Sequence, residues 1–354
     1  MTAAAEKRDH HWALFTAGVV VAVVGLLLWL AAGTLFLIFS GLLLAVFLSG
    51  LTDLVARSTR LRRGLALIAV CTVLLAVLGL MGWSMASRVA EQAQQFSKQL
   101  PHAVIHVREQ LQKYPWGSWV ADEFKEIRTS AEDGEKAISR AAGAASAAVD
   151  TVTGIVVILF LGVFISFDPD LYKRSLVRLV PLDRRPRARE VIDRAAGALW
   201  RWTLGRLLSM AAVAVGATIG FWLIGMPLAL MLGLFAGLMN FIPNLGPLIW
   251  LAPAMLLAFV QSPAHALYVG VLFGVVQSAE GYLITPLVQQ RMVHLSPAIA
   301  LSVQVTFGAL WGFPGLALAT PLAAMALVLI EKLYIEDVLG EQGSCSKHNE
   351  GKRF

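Results

Sequence analysis

Glu280 is the one acidic residue between Leu207 and Ile330, and the stretch from Leu207 to Ala279 carries no Asp, Glu, Lys or Arg. A carboxylate so isolated in apolar sequence can titrate and couple an ion, touch a polar substrate, or pair with a cation such as Arg291. A charge at the middle of a bilayer costs about 2.5–3.5 kcal/mol, so it is usually there for function. Its place near the end of its apolar run lowers that cost. Gln277 lies one turn earlier; Asn240 and Asn244 sit in "NFIPNLGP", residues 240–247; Gln304 lies in a later apolar run. These amides offer hydrogen bonds, and Glu280 a charge or proton, to a small polar solute. No nucleophile–base pair accompanies them, so an enzyme is not expected.

Other constellations carry less. His102 and His106 share a helix face with Glu109 one turn on, but the zinc-protease H-E-x-x-H order is absent, so no metal is expected. No G-x-x-x-x-G-K-[ST] loop occurs, which argues against ATP drive, and no cofactor is expected. Cys71 lies in an apolar run and Cys345 in a polar tail, so no disulfide is expected. Asp170 follows a proline turn and reads as a helix N-cap.

The elements that must position these residues are membrane helices. The chain has 354 residues, 57% hydrophobic and 15% charged, with mean hydropathy +0.70. So little charge excludes an ordinary soluble domain. Spanning runs fall at about 12–32, 34–51, 64–85, 151–167, 207–225 and 264–284, and the first reads as an uncleaved span rather than a signal peptide. Lys7 and Arg8 precede the first run, Arg57, Arg60, Arg62 and Arg63 crowd one link, and ten Lys and Arg lie between Lys173 and Arg206. These place both termini and the basic links in the cytoplasm. Residues 86–150, with eight basic and nine acidic residues, then form an extracytoplasmic helical hairpin turning at "KYPWGSW". Residues 187–206 read as a basic amphipathic helix on the membrane surface, with Val191, Ala195, Leu199 and Trp202 on one face.

Two further apolar regions, 226–261 and 296–330, are punctuated by Pro and Gly. Proline inside a helix costs about 3 kcal/mol, and a broken backbone is tolerated only where protein or water surrounds it. Pro243, Gly246 and Pro247 end the first helix; Gly312, Pro314 and Gly315, in "GFPG", break the second; Pro297 opens it as a first-turn proline. The halves of the first region, about 226–242 and 247–261, reach at most roughly 26 Å, slightly short of the hydrocarbon core. Each is a strained span or one arm of a re-entrant hairpin. Paired breaks in one half of a chain point to a transporter binding site. The fold expected is an all-α polytopic membrane protein with about six full spans and two broken hairpins. Its parts are three spans (1–85), the outer hairpin (86–150), a fourth span and basic helix (151–206), the transport region (207–333) and a cytoplasmic tail (334–354).

Three blocks, "PLALMLGLFAGLMNFIPNLGPLIWLAPAML", "VVQSAEGYLITPLVQQRMVHLSPAIAL" and "GALWGFPGLALATPLAA", resemble the autoinducer-2 exporter family of bacterial inner-membrane proteins in order and spacing. The resemblance covers about 226–324. It implies a homo-oligomer, pentameric where described, and an elevator-type mechanism. It also implies two hairpins per protomer holding the substrate, with tips at Pro243 to Pro247 and Gly312 to Gly315. Some relatives are described as sodium–proton antiporters. Asn244 and Tyr282 stand where relatives often carry other residues, and Pro314 replaces a more usual aliphatic one.

The expected function is therefore a secondary transporter exporting a small polar solute, autoinducer-2-like by resemblance and so tied to quorum sensing. Two alternatives stand beside it, a cation–proton antiporter using Glu280 and a non-transporting membrane scaffold whose outer hairpin binds partners. The expected partners are the solute, the bilayer, further copies of the chain, and protons or sodium; nucleic acid is not among them.

Overall fold

A computed structural model describes residues 29–80, 82–83, 91–92, 95, 136–284 and 296–339. Its main helices are α1 (Ala32–Thr59), α2 (Arg63–Leu80), α3 (Lys136–Phe167), α4 (Pro169–Arg178), α5 (Arg185–Ile224), α6 (Ala229–Met239), α7 (Leu245–Gln261), α8 (Pro263–Ala279) and α9 (Pro297–Ile330). Wide π turns, Glu280–Ile284 and Glu331–Glu336, extend α8 and α9. No strand occurs among the described residues, and the all-α expectation holds.

The expectation of six full spans is not met among the described residues. Four helical runs are long and apolar enough to cross a membrane: α1, α2, Leu182–Ile224 and Pro297–Glu336. Thr151–Phe167 with α4 adds a fifth if that bent pair is one span. Most of the run at 12–32 lies outside the described residues, as do most of 86–150, including His102 and His106, and Arg291 and Cys345.

Small residues set the helix directions. A Cβ on Gly41 would lie 2.7 Å from Leu161, one on Gly162 would lie 2.6 Å from Leu44, and Ser49 Oγ donates to Ser166 Oγ at 3.1 Å. Positions rise together on both helices, so α1 and α3 run parallel. The chain then turns sharply: Asp168 caps α4, accepting from Leu171 N at 3.0 Å, with Pro169 at the first position. Asp170, the expected cap, sits one residue inside α4, because proline takes the first helical position and the residue before it becomes the cap.

α5 is one unbroken helix of 40 residues, roughly 60 Å long at 1.5 Å per residue. The sequence reading divides it into a surface helix and a span at 206/207. No proline follows Pro186 within it, and the face bearing Val191, Leu199 and Trp202 is buried. Leu199 and Trp202 pack with Phe36, Phe39 and Leu43 of α1 and Leu318 of α9 rather than against a bilayer surface.

α6 and α8 both run antiparallel to α5. A Cβ on Gly233 would meet Thr218 at 1.9 Å, and one on Gly237 would meet Ala214 at 2.5 Å. On another face Gly220 of α5 receives Leu272 of α8. Between them, Trp250 of α7 is 1% exposed, edge-on to Phe221 and 5.3 Å from the Phe273 ring. Leu228 offers no side-chain cap to the first turn of α6, and Gln92 Oε1 accepts from Met231 N at 3.0 Å instead.

Both broken regions are hairpins. In the first, α6 and α7 join through Asn240–Asn244, and Gln261 at the far end of α7 returns to Met226, Nε2 to Sδ 3.3 Å. Asn244 has φ 64°, and Gly246 N bonds Ile242 O at 3.0 Å. A Cβ on Gly246 would lie 2.0 Å from Met239 O, so only glycine lets the arms approach here. Gly246 and Pro247 are thus in the first turn of α7, where proline is tolerated, and not in the turn itself.

In the second, Gly312 has φ 63° and ψ −145°, which no helix accommodates. Gln304 Nε2 meets Thr320 Oγ1 at 2.9 Å. Sixteen residues along a straight helix would separate them by roughly 24 Å. The 40-residue run Pro297–Glu336 is therefore folded back on itself, and its length does not make it a straight span. A Cβ on Gly315 would lie 2.2 Å from Phe307 O, the same glycine device as in the first hairpin. Ser296 caps α9 and Pro297 begins it, as expected.

The hairpins enter from opposite ends of α5. The first opens beside Gly225, at the C-terminal end of α5. The second opens at the N-terminal end, where Arg187 binds Lys332 O at 2.9 Å, Glu336 at 2.7 Å and Asp337 at 3.0 Å.

Candidate functional site

The opposed hairpins cross at two linked polar nodes. α5 supplies Arg206 and Ser209 one turn apart, the tip of the first hairpin supplies Asn240, and the π turn after α8 supplies Glu280. Glu280 Oε1 accepts from Ser209 Oγ at 2.5 Å, Asn240 Nδ2 at 3.0 Å and Arg206 Nη1 at 3.3 Å. Asn240 Nδ2 also donates to Ser209 Oγ at 2.9 Å, and Arg206 Nε to Phe241 O at 3.2 Å. Arg206 and Glu280 are 13% and 12% exposed. Their charges are compensated in place, as buried charges must be.

The second node lies three residues along the tip. Gln304 Nε2 donates to Pro243 O at 2.8 Å and to Thr320 Oγ1 at 2.9 Å. One amide thus ties the tip of the first hairpin to both arms of the second. Pro243 O also accepts from Leu245 N at 2.7 Å within the tip, so Gln304 adds a second donor, from outside the first hairpin, to the same carbonyl. Asn240 and Gln304 are each 0% exposed.

Amide orientation follows from these partners. Asn240 Nδ2 faces a carboxylate and Gln304 Nε2 a carbonyl, both acceptors only, so each oxygen must point the other way. Asn240 Oδ1, Gln304 Oε1 and Gln277 Oε1 are buried and accept no hydrogen bond among the described residues. Such groups are uncommon in folded proteins. The unmatched amide atoms at the crossing are acceptors, while Thr203 Oγ1 on α5 and Trp311 Nε1 nearer the second tip are also buried without a partner among the described residues.

The structure brings Asn240, Glu280 and Gln304 together through their shared tip, and places Gln277 one turn from Glu280. It does not bring in Asn244, which is exposed at the turn. Tyr282 is 82% exposed. Of the second tip, Gly312 and Pro314 are exposed and Gly315 is buried. That tip lies in an aromatic group, with Trp311 5.5 Å from the rings of both Trp29 and Phe36 and 5.0 Å from that of Phe307.

Sequence reasoning missed Arg206, Ser209 and Thr320. Arg206 carried a signal: it is the last charge before the uncharged stretch, facing the one acid within it. The hydroxyls carried none. No group of three or more His, Cys, Asp or Glu able to hold a metal occurs among the described residues.

A family model described as AI-2E family transporter matches residues 18–335. The chain belongs to the AI-2E transporter family. It is 29% identical over 184 residues to "Putative transport protein YueF" of Bacillus subtilis, covering 51% of this chain and 50% of that one. It is 31% identical over 171 residues to "Putative transport protein YrrI" of the same organism, 48% of each chain. A "Putative transport protein" of Thermotoga maritima is 23% identical over 240 residues, 67% of this chain and 71% of that one. The match to the first two spans about half their length. Family and names point to a membrane transport role for this AI-2E chain and away from an enzyme.

Proposed function

We propose that this chain is a secondary transporter that passes a small polar solute across the bilayer at the crossing of its two hairpins. One observation carries the reading: two helical hairpins enter from opposite ends of α5 and are joined by a buried polar node, Pro243 O to Gln304 Nε2 at 2.8 Å. Broken helices at membrane depth are tolerated where they line a protein-enclosed or watery path, and that is where transporters place their sites. The unmatched acceptors Asn240 Oδ1, Gln277 Oε1 and Gln304 Oε1 favour a solute that donates, such as a hydroxyl-rich sugar derivative of the autoinducer-2 kind. Glu280 supplies the charge beside it. On this reading the protein exports the solute from the inner membrane of a bacterium, as a homo-oligomer moving by an elevator-type step.

The cation–proton antiport reading is favoured by a different observation, the shared Arg206–Glu280–Ser209 contacts. A cation that displaces Arg206 from Glu280 would alternate with a proton there. Untargeted metabolite export from cells with and without the protein tests the first reading. A hydroxyl-bearing metabolite lost from cells only when the wild-type protein is present supports it. An unchanged metabolite profile, with pH-driven sodium exchange that Glu280→Gln abolishes, would replace it with antiport. No change in either would leave the scaffold reading.

A further inference from the structure

α4 is a short helix with an unusual setting. It turns 86° from Thr151–Phe167 at a one-residue break. Transmembrane helices tilt by about 20° on average, so a helix perpendicular to one runs close to the membrane plane. Its two faces differ. Val177, 5% exposed, packs inward, while Leu171, Leu176 and Leu179 on other sides are 54%, 54% and 83% exposed. Leu182 continues that apolar surface at 72%. In-plane helices with one apolar face and basic residues bury that face at the headgroup boundary.

Between α4 and the start of α5 lies a pocket of about 420 Å³ lined by Asp170, Lys173, Arg174, Arg189 and Asp193. Lys173 and Asp193 pair at 2.6 Å and cancel. Arg174 holds Asp170 O through Nε at 3.1 Å, which fixes its position. No carboxylate lies within ion-pair distance of Arg174 or Arg189 among the described residues. Three basic and two acidic residues leave the pocket one positive charge. Arg178, Arg184 and Arg185 lie in the same stretch of chain, between the two sides of the pocket.

We propose that α4 is an interfacial helix and that the pocket it forms with α5 takes the phosphate of an anionic phospholipid, with Arg174 and Arg189 as its ligands. The pocket's single positive charge matches a phosphodiester, and guanidinium groups suit phosphate oxygens. The exposed leucines give the acyl chains an apolar surface beside the headgroup, which a free phosphate would not need. The site stands apart from the hairpin crossing. It assigns lipid contact to 169–178 rather than to the buried face of 187–206.

The test uses the full chain in nanodiscs of phosphatidylcholine alone or with phosphatidylglycerol, reading retained lipid by native mass spectrometry and the thermal midpoint. Phosphatidylglycerol should be retained preferentially and raise the midpoint of wild type. At about a fivefold contribution per basic residue, Arg174→Gln with Arg189→Gln should cut that preference roughly thirty-fold. The midpoint in phosphatidylcholine should not change, and Arg178→Gln, outside the pocket, should cost much less. Equal retention by the double variant would overturn the site. An equal midpoint rise with inorganic phosphate in detergent would overturn the lipid in favour of a free anion. A nitroxide at Leu176→Cys, with Cys71 and Cys345 replaced by serine, should relax faster with oxygen than with a water-soluble nickel chelate. The reverse order would overturn the interfacial seating and leave α4 as a protein-docking face.

Discussion

Neutralising Glu280 alone should cost more stability than its loss costs once Arg206 has also been replaced. Glu280 Oε1 accepts from Ser209 at 2.5 Å, Asn240 at 3.0 Å and Arg206 at 3.3 Å, in surroundings that leave the two charged side chains 12% and 13% exposed. Glu280→Gln keeps an oxygen and loses the charge. A hydrogen bond to a charged group is worth about 1.5–3 kcal/mol and a neutral one about 0.5–1.5, so the Ser209 and Asn240 bonds together lose roughly 2–3 kcal/mol, and Arg206 is left without its counter-charge. That agrees with the roughly 3–5 kcal/mol for stranding one member of a buried pair. Arg206→Met strands Glu280 and the Phe241 carbonyl in turn, at similar cost. The double variant leaves no stranded charge, and its loss should fall short of the sum by about 2 kcal/mol. Unfolding of the four proteins in one detergent, followed by intrinsic fluorescence, measures the coupling. Losses that simply add would refute the pairing and with it the register of α5 against the first hairpin.

Gly246→Ala and Gly315→Ala should each sharply reduce the yield of folded protein, because the added Cβ would lie 2.0 Å from Met239 O and 2.2 Å from Phe307 O; Gly79→Ala, with nothing within 4 Å, is the control, read by size-exclusion chromatography. Gln304→Cys with Thr320→Cys, in a chain without Cys71 and Cys345, should be joined by a short thiol-reactive cross-linker spanning roughly 8 Å; on a straight helix, where the two positions would lie roughly 24 Å apart, both thiols would react singly. Arg187→Gln should release the open end of the second hairpin locally, because its partners Glu336, Asp337 and Lys332 O all lie at that end. Hydrogen exchange at 331–337 should then quicken while that of α7 stays unchanged.

The parts of the site visible in the sequence were those where a residue type was improbable for its surroundings. Glu280 stood out because nothing else between Leu207 and Ile330 is acidic, and Asn240 and Gln304 because amides are costly in apolar helices. The two hairpins were legible as breaks, since proline and glycine act locally, but fold-back against kink was not. That choice rests on Gly246 and Gly315 meeting a backbone carbonyl, contacts between residues seven or eight apart that no local pattern records. Ser209 and Thr320 were invisible for a related reason. A hydroxyl in a helix ordinarily bonds its own backbone, as Thr218 does to Ala214 O. Only the register of α5 against the first hairpin, and of one arm of α9 against the other, turns these two outward. Asn244 stands at the turn with φ 64° and ψ −51°, the centre of a γ-turn closed by Leu245 N to Pro243 O at 2.7 Å, a backbone role that its residue type alone does not reveal. At 206/207 only the composition changes, and a helix that passes from basic to apolar sequence without proline has no reason to stop.

On the proposed function, the Asn240–Pro243–Gln304 crossing carries the transported solute. Proteoliposome flux of the metabolite found in the export screen, per folded protein, tests it most directly, comparing wild type, Asn240→Ala, Gln304→Ala and the exposed Tyr282→Phe. Flux should fall at least tenfold in the first two variants and stay at the wild-type level in the third. Wild-type flux in folded Asn240→Ala and Gln304→Ala would contradict the site and the function drawn from it.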